Sequence, residues 1–287
     1  RRMNQARVLS AGLVQLNVGD DPAGNLSPTL LLIRQAASQG AEIVLTPEVT
    51  NMLSPDRARQ QAMLQREDDD PTLAALREAA GAARIWLLIG SLALKTGDAD
   101  GRFANRSFLI DPTGRIAARY DKLHMFDVTI SRTEHFRESA AYRPGDRAVL
   151  ADLDGIGLGL TICYDLRFPH LYRDLAKAGA RILTVPSAFS PTTGAAHWET
   201  LLRARAIETG CFVLAPAQCG THPAPHSPDR QPRRSHGHSL AVDPWGKVIA
   251  DAGSEPGVTI VRLDLGAVDR ARSRIPSLDH DRPYSGP

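Results

Sequence analysis

Cys163, Glu48 and Lys122 are the residues of this chain whose types and settings could do covalent chemistry together. Cys163 ends the apolar run 157–162 and precedes Tyr164-Asp165-Leu166-Arg167-Phe168-Pro169, which reads as a helix start. A strand running straight into a helix leaves its junction residue exposed at the carboxyl end of a sheet, where helix amides favour a thiolate. A lone cysteine is otherwise most often a buried core residue. Glu48 stands at the tip of a short buried strand, after Thr46-Pro47, where the plain reading is a solvated loop carboxylate. Lys122 ends another strand, in Arg119-Tyr120-Asp121-Lys122-Leu123-His124. Each charge is ordinary by itself. A base, a cation and a thiol at three strand ends are nevertheless what attack on an amide carbon requires: a proton acceptor, an oxyanion donor and a nucleophile.

The elements that must position these residues repeat along the chain. A helix over 30–38 followed by a strand over 41–48 parallels a helix over 171–177 followed by a strand over 179–187. The helix 73–83 and strand 85–90 find their counterparts in 201–209 and 212–217. Each half then presents an aliphatic strand, a tight turn and a further strand. The turns are Asp111-Pro112-Thr113-Gly114 and Asp243-Pro244-Trp245-Gly246, with proline second and glycine fourth as a type I turn prefers. Two repeats at nearly the same offset indicate a duplicated β-α-β-α-β-β-β plan. Alternating strands and helices normally make a doubly wound parallel sheet. The turn-linked strands add antiparallel edges, so the expectation is an α/β protein with two mixed sheets.

Composition narrows the class. The 287 residues are 43% hydrophobic and 23% charged, enough to bury a large core. Aromatic residues make up only 5%, so that core is aliphatic. A net charge of +2 with scattered arginines argues for neither nucleic acid nor an anionic membrane. Cys163, Cys211 and Cys219 are odd in number and lack metal spacing, which points to a reducing, cytoplasmic setting rather than a disulfide framework. Arg1-Arg2 could open an export signal, but the apolar stretch 8–16 is short and interrupted by Ser10 and Gln15. No stretch approaches the length of a membrane span.

Several longer words carry a family resemblance. Tyr120-Asp121-Lys122-Leu123-His124-Met125-Phe126-Asp127, Ile162-Cys163-Tyr164-Asp165-Leu166-Arg167-Phe168-Pro169, Thr193-Gly194-Ala195-Ala196-His197-Trp198-Glu199 and Gly237-His238-Ser239 stand in the order found in the Nit branch of the nitrilase (carbon–nitrogen hydrolase) superfamily. The chain resembles that family from about residue 8 to about residue 265. The resemblance implies a four-layer α-β-β-α sandwich of two mixed sheets. It also implies one carbon–nitrogen hydrolase domain over 1–287, with a core of about 8–265 and a tail of 266–287, and a homodimer formed through outer helices. It implies a Glu48–Lys122–Cys163 triad that hydrolyses a small amide with neither metal nor organic cofactor. The pattern is most similar to the deaminated-glutathione amidase group, which releases 2-oxoglutarate and Cys-Gly. ω-Amidases acting on 2-oxoglutaramate share much of it. A non-catalytic member keeping only the fold is the reading from another class, and the intact triad argues against it. The chain departs from the family pattern at Asp121, where a basic residue is frequent, and in the proline-rich stretch 221–232.

Glu138 corresponds to a second active-site glutamate supporting the lysine, against the plain reading of a solvated helix charge. Arg167 follows Cys163 by four residues, which on an α-helix keeps its guanidinium near the thiol, ready for a substrate carboxylate. A structural ion pair is the competing reading. Tyr164, through its backbone N–H, together with Ser187 and Thr193, is expected beside the substrate. His197-Trp198-Glu199 lacks a second histidine at zinc spacing and is expected to pack. Arg203 and Arg205 are expected to pair with Glu199 and Glu208 on one helix. The stretch 221–232 is too rich in proline and polar residues for an element and reads as a loop.

Overall fold

In the computed structural model, which describes residues 7–132 and 134–286, the chain forms sixteen strands and six helices. Arg1 and Arg2 lie outside the described residues. The first half runs β1 (Val8–Gln15), α1 (Pro22–Ser38), β2 (Ile43–Leu45), α2 (Arg57–Met63), α3 (Pro71–Ala83), β3 (Trp86–Lys95), β4 (Phe103–Ile110) and β5 (Ile116–Asp121). A small hairpin follows, β6 (Asp127–Thr129) and β7 (His135–Arg137), and then the edge strand β8 (Val149–Leu153). The second half runs β9 (Ile156–Leu160), α4 (Pro169–Lys177), β10 (Ala180–Thr184), α5 (Pro191–Thr209) and β11 (Phe212–Ala215). It ends with a second hairpin, β12 (Cys219–Thr221) and β13 (Arg234–His236), then β14 (Leu240–Val242), β15 (Val248–Asp251), β16 (Gly257–Asp264) and α6 (Gly266–Arg274).

Two mixed six-stranded sheets carry the duplicated plan. One has the order β16-β1-β2-β3-β4-β5, the other β15-β14-β11-β10-β9-β8. In each, three strands run parallel and the turn-linked pair adds antiparallel strands on one side. The last strand, β16, closes the first sheet antiparallel to β1, and β8 does the same against β9.

Strand alternation explains the four layers. Ile43, Leu45 and Leu88 point to the core shared by the two sheets, while Val44, Leu87 and Ile89 point the other way, into a core with Ile33, Leu73 and Leu76 of the outer helices. The chain is α/β, a helix–sheet–sheet–helix sandwich. The principal helices begin earlier than their apolar periodicity indicates. Pro22, Pro71, Pro169 and Pro191 sit in the first turns of α1, α3, α4 and α5, where a fixed φ and a missing N–H cost nothing. Asp70 caps α3 and Ser190 caps α5, accepting from the amides of Leu73 and Thr193. The stretch expected as a tail, 266–287, opens with α6. Among the described residues no helix is long and apolar enough to cross a membrane.

Candidate active site

Strand ends from both sheets meet over one cavity. Glu48 lies three residues beyond β2, Lys122 directly follows β5, and Cys163 follows β9. Two non-glycine residues in the left-handed region mark the junctions: Val49 at φ 50° and Cys163 at φ 47°. Strain of this kind persists only where the surroundings fix it. The Val49 amide is held by Ser91 Oγ at 2.8 Å, and the Cys163 amide by the Pro186 carbonyl at 3.0 Å. Beneath the first junction, a Cβ on Gly90 would stand 2.0 Å from the Thr46 carbonyl oxygen, so only glycine lets β3 pass there.

Lys122, 2% exposed, is held between two carboxylates. Its Nζ donates to Glu48 Oε1 at 2.9 Å and to Glu138 at 2.9 and 2.8 Å. Glu48 is itself fixed on both oxygens: Asn105 Nδ2 donates to Oε1 at 2.8 Å and the Ala188 amide to Oε2 at 2.8 Å. Glu138 Oε2 also accepts the Phe126 amide at 2.6 Å. Cys163 and Glu48 face the same cavity, close enough for each to shift the other's titration. Glu48, Lys122, Glu138 and Cys163, separated by as much as 115 positions in sequence, therefore form one buried cluster.

Protonation states follow from these contacts. Burial by itself raises the Glu48 carboxyl, but the Lys122 charge, the hydrogen bonds from Lys122 and Asn105 and the nearby Cys163 thiol outweigh it and hold Glu48 below its ordinary value. Burial likewise works against the Lys122 ammonium, and Glu138 and Glu48 together push it well above the usual lysine range. Burial and the Glu48 charge drive the Cys163 thiol well above its ordinary value, against the opposing pull of Lys122. The exposed, amide-activated thiolate expected from the sequence is thus corrected. Cys163 is 8% exposed, and at rest it is a neutral thiol beside a carboxylate that can take its proton.

The helix start after Cys163 is a 3-10 turn over Cys163–Arg167. Its bonds run from the Asp165 amide to the Ile162 carbonyl and from the Phe168 amide to the Asp165 carbonyl, leaving the Tyr164 N–H outside that ladder. The tighter winding also displaces Arg167. In an α-helix a residue four positions on shares a face, whereas three residues per turn carry it away. Arg167 lies outside the cavity wall, with its guanidinium 3.2 Å from His197 Nδ1 and facing the Phe189 ring at 5.7 Å. Its position does not fit the direct carboxylate reader expected from the spacing. Ser187 is likewise outside the wall. It is fully buried and bonds the Val185 carbonyl at 3.0 Å, while the next residue, Ala188, faces the cavity. Tyr164 and Thr193 do line it.

The cavity encloses about 310 Å³, the size of a pocket for a small ligand. Several of its lining residues escaped the reading of the sequence, Asn105, Arg137 and Arg233 among them. Asn105 opens the polar stretch Asn105-Arg106-Ser107 inside a strand that is otherwise apolar, a signal that could have been used. Arg137 and Arg233 come from the two small hairpins, and nothing local marks them. Trp198 packs as expected, its Nε1 donating to the His238 carbonyl at 2.8 Å, whereas His197 is exposed and meets only Arg167 at 3.2 Å among the hydrogen bonds of the described residues. Arg203 and Arg205 pair with Glu199 and Glu208 at 3.3 and 2.9 Å. Asp121, the departure beside Lys122, takes Arg106 in a two-pronged pair at 2.6 and 2.9 Å. The stretch 221–232 is a loop but for Thr221, which ends β12.

Comparison with known proteins gives a consistent answer. The family model described as carbon-nitrogen hydrolase matches residues 10–273. A deaminated glutathione amidase of Yersinia enterocolitica is 38% identical over 274 residues, covering 95% of this chain and 93% of that protein. The crystal structure of the C. elegans NitFhit protein superimposes with a TM-score of 0.86 at 35% identity, over 96% of this chain and 65% of the other. A mutant of the amidase from Nesterenkonia sp. AN1, 26% identical with a TM-score of 0.76 over 96% of this chain and 94% of its own, shows covalent addition of the acetamide moiety of fluoroacetamide at the active site cysteine.

Proposed function

The chain belongs to the carbon–nitrogen hydrolase family, and from that premise we propose that it is an amidase cleaving deaminated glutathione to 2-oxoglutarate and Cys-Gly through a thioester on Cys163. Cys163 Sγ attacks the amide carbonyl as Glu48 takes the thiol proton. Lys122 and the Tyr164 N–H receive the oxyanion, and Glu138 keeps Lys122 charged and in place. Glu48 then protonates the departing amine, and the C–N bond breaks. In the second half Glu48 deprotonates a water that hydrolyses the thioester and returns the proton to sulfur. One base thus serves both directions of proton transfer.

The observation that carries this reading is that Cys163 and Glu48 face one cavity, with Glu48 held in place by Lys122, Asn105 and the Ala188 amide. A thiol raised by its surroundings needs that base to become a nucleophile. Thr193 is placed against bound substrate by the same reading. The whole chain is read as one hydrolase domain, since both sheets contribute residues to the cavity. A homodimer and a cytoplasmic setting complete the proposal, the latter supported by three unpaired cysteines.

The test is kcat/KM on deaminated glutathione, 2-oxoglutaramate, a neutral short-chain amide and a nitrile. Deaminated glutathione is expected to be turned over fastest. A higher value for 2-oxoglutaramate would reassign the chain to ω-amidases, and exclusive nitrile turnover would overturn the amidase reading.

A further inference from the structure

The catalytic cluster has a charge problem with any anionic substrate. Glu48 and Glu138 carry two negative charges against the single positive charge of Lys122, whose Nζ is committed to both. Left to itself, the floor of the cavity repels a carboxylate. The wall supplies the missing cations as Arg137 and Arg233, both exposed at its rim, and among the described residues neither makes an ion pair.

The two arginines come from different hairpins, line the same cavity and both touch Phe136, one at its carbonyl and one at its ring. Arg137 Nη1 donates to the Phe136 carbonyl at 3.0 Å, and the Arg233 guanidinium lies 5.6 Å from the Phe136 ring centre. Phe136 contacts Phe126 at 4.9 Å and Phe126 contacts Tyr164 at 5.0 Å, so two ring-to-ring steps separate this cationic rim from the residue next to the nucleophile. The loop that presents Arg233 is preorganised. His222 bonds the Val18 carbonyl at 2.8 Å and Ser235 Oγ at 2.7 Å, and its amide donates to the Arg233 carbonyl at 2.9 Å.

The acyl half of an amide must stay at Cys163 while the amine half departs through the mouth. A two-residue leaving group reaches roughly 7 Å from the scissile bond, outward along the row of rings. We infer that Arg137 and Arg233 form a carboxylate clamp for the C-terminal carboxylate of a dipeptide leaving group. Guanidinium forks suit that planar anion, and pairing from two hairpins fixes its direction. The inference rests on the amidase reading above and adds to it what selects a peptide-like leaving group over ammonia.

The experiment compares wild type, Arg137→Met and Arg233→Met on deaminated glutathione, on its glycine-end carboxamide and on 2-oxoglutaramate. On the free acid each variant is expected to raise KM roughly 10–100-fold with little change in kcat, the pattern of lost uniform binding. On the other two amides, which lack that carboxylate, the change should stay under about threefold. Arg233→Lys should recover part of the loss. Equal losses on all three substrates, or undiminished preference for the free acid, would overturn the clamp. Should wild type turn over none of them, the proposed function fails, yet the clamp is still decided by titrating the Cys163→Ala protein with deaminated glutathione. Binding that weakens about tenfold or more with Arg233→Met supports it, and binding indifferent to that change, or no binding, refutes it.

Discussion

The Asp165 carboxylate, two residues past Cys163, accepts the hydroxyl of Tyr120, two residues before Lys122, at 2.6 Å. The same oxygen accepts the Ile162 amide at 2.8 Å, and the other oxygen takes His124 Nδ1 at 2.7 Å and the His124 amide at 3.1 Å. One fully buried carboxylate thus ties the strand end that carries Lys122 to the turn that carries Cys163. Burial and the Asp165 charge keep the Tyr120 hydroxyl protonated, so it remains a donor.

Asp165→Asn is expected to loosen this tie without touching substrate. The amide cannot accept from both sides, and one of Tyr120 and His124 loses its partner. Stability should fall by about 1–3 kcal/mol. A lower kcat with nearly unchanged KM, measured beside denaturant midpoints, would mark a positioning role. Loss of stability alone, with kcat intact, would reduce Asp165 to a scaffold residue.

On the proposed mechanism Lys122→Met removes the oxyanion donor, and a comparable loss costs roughly 10²–10³ in kcat. It also leaves two buried carboxylates without their cation, which costs about 3–5 kcal/mol of stability. The sign of the pH effect follows. Without Lys122 the Glu48 carboxyl titrates above its unfolded value, so stability is retained below that value and lost as pH rises through the folded one. Urea midpoints of the variant should therefore be higher at acid pH than at neutral pH. A pH-independent deficit would contradict the charge account.

Much of this arrangement is legible in the sequence, for identifiable reasons. Strand ends are local features, so the short words around Glu48, Lys122 and Cys163 expose all three, and the Asp-Pro turns reveal the antiparallel pairs. Arg167 is misplaced because five residues do not reveal whether the first turn winds as a 3-10 or an α-helix. Ser187 points away because the backbone stays extended past β10, where Ser187 bridges Ala217, and alternation puts Ala188 on the cavity side. Arg137 and Arg233 become neighbours only through the contact of two hairpins, and no periodicity encodes that.

His222 gives a test of the loop anchor. Burial holds its imidazole down at about 4, where an exposed histidine would titrate near 6.5. The unfolded chain binds the proton first, so this contribution to stability is complete above about pH 6.5 and is lost as pH falls toward 4. The full loss is about 3 kcal/mol. His222→Asn should flatten that part of the pH–stability curve, read from chemical denaturation between pH 4 and 7. An unchanged slope would place the titration elsewhere.

Cys211→Ser and Cys219→Ser should keep near-normal turnover. Burial raises both thiols, that of Cys219 to about 11, and neither lines the cavity. Cys163→Ser should lose on the order of 10⁴-fold in kcat. Steady-state rates of the three variants on one amide decide the matter, and comparable losses in all three would remove the special role of Cys163.

The central claim is that the acyl group passes through the Cys163 sulfur. Rapid acid quenching during turnover of deaminated glutathione, followed by intact-mass and peptide mass spectrometry, reads that step directly. The account predicts a 2-oxoglutaryl adduct on the peptide containing Cys163, absent from Cys163→Ala and from Glu48→Gln. Product formation with Cys163 unmodified at every quench time, or an adduct on another residue, would contradict it.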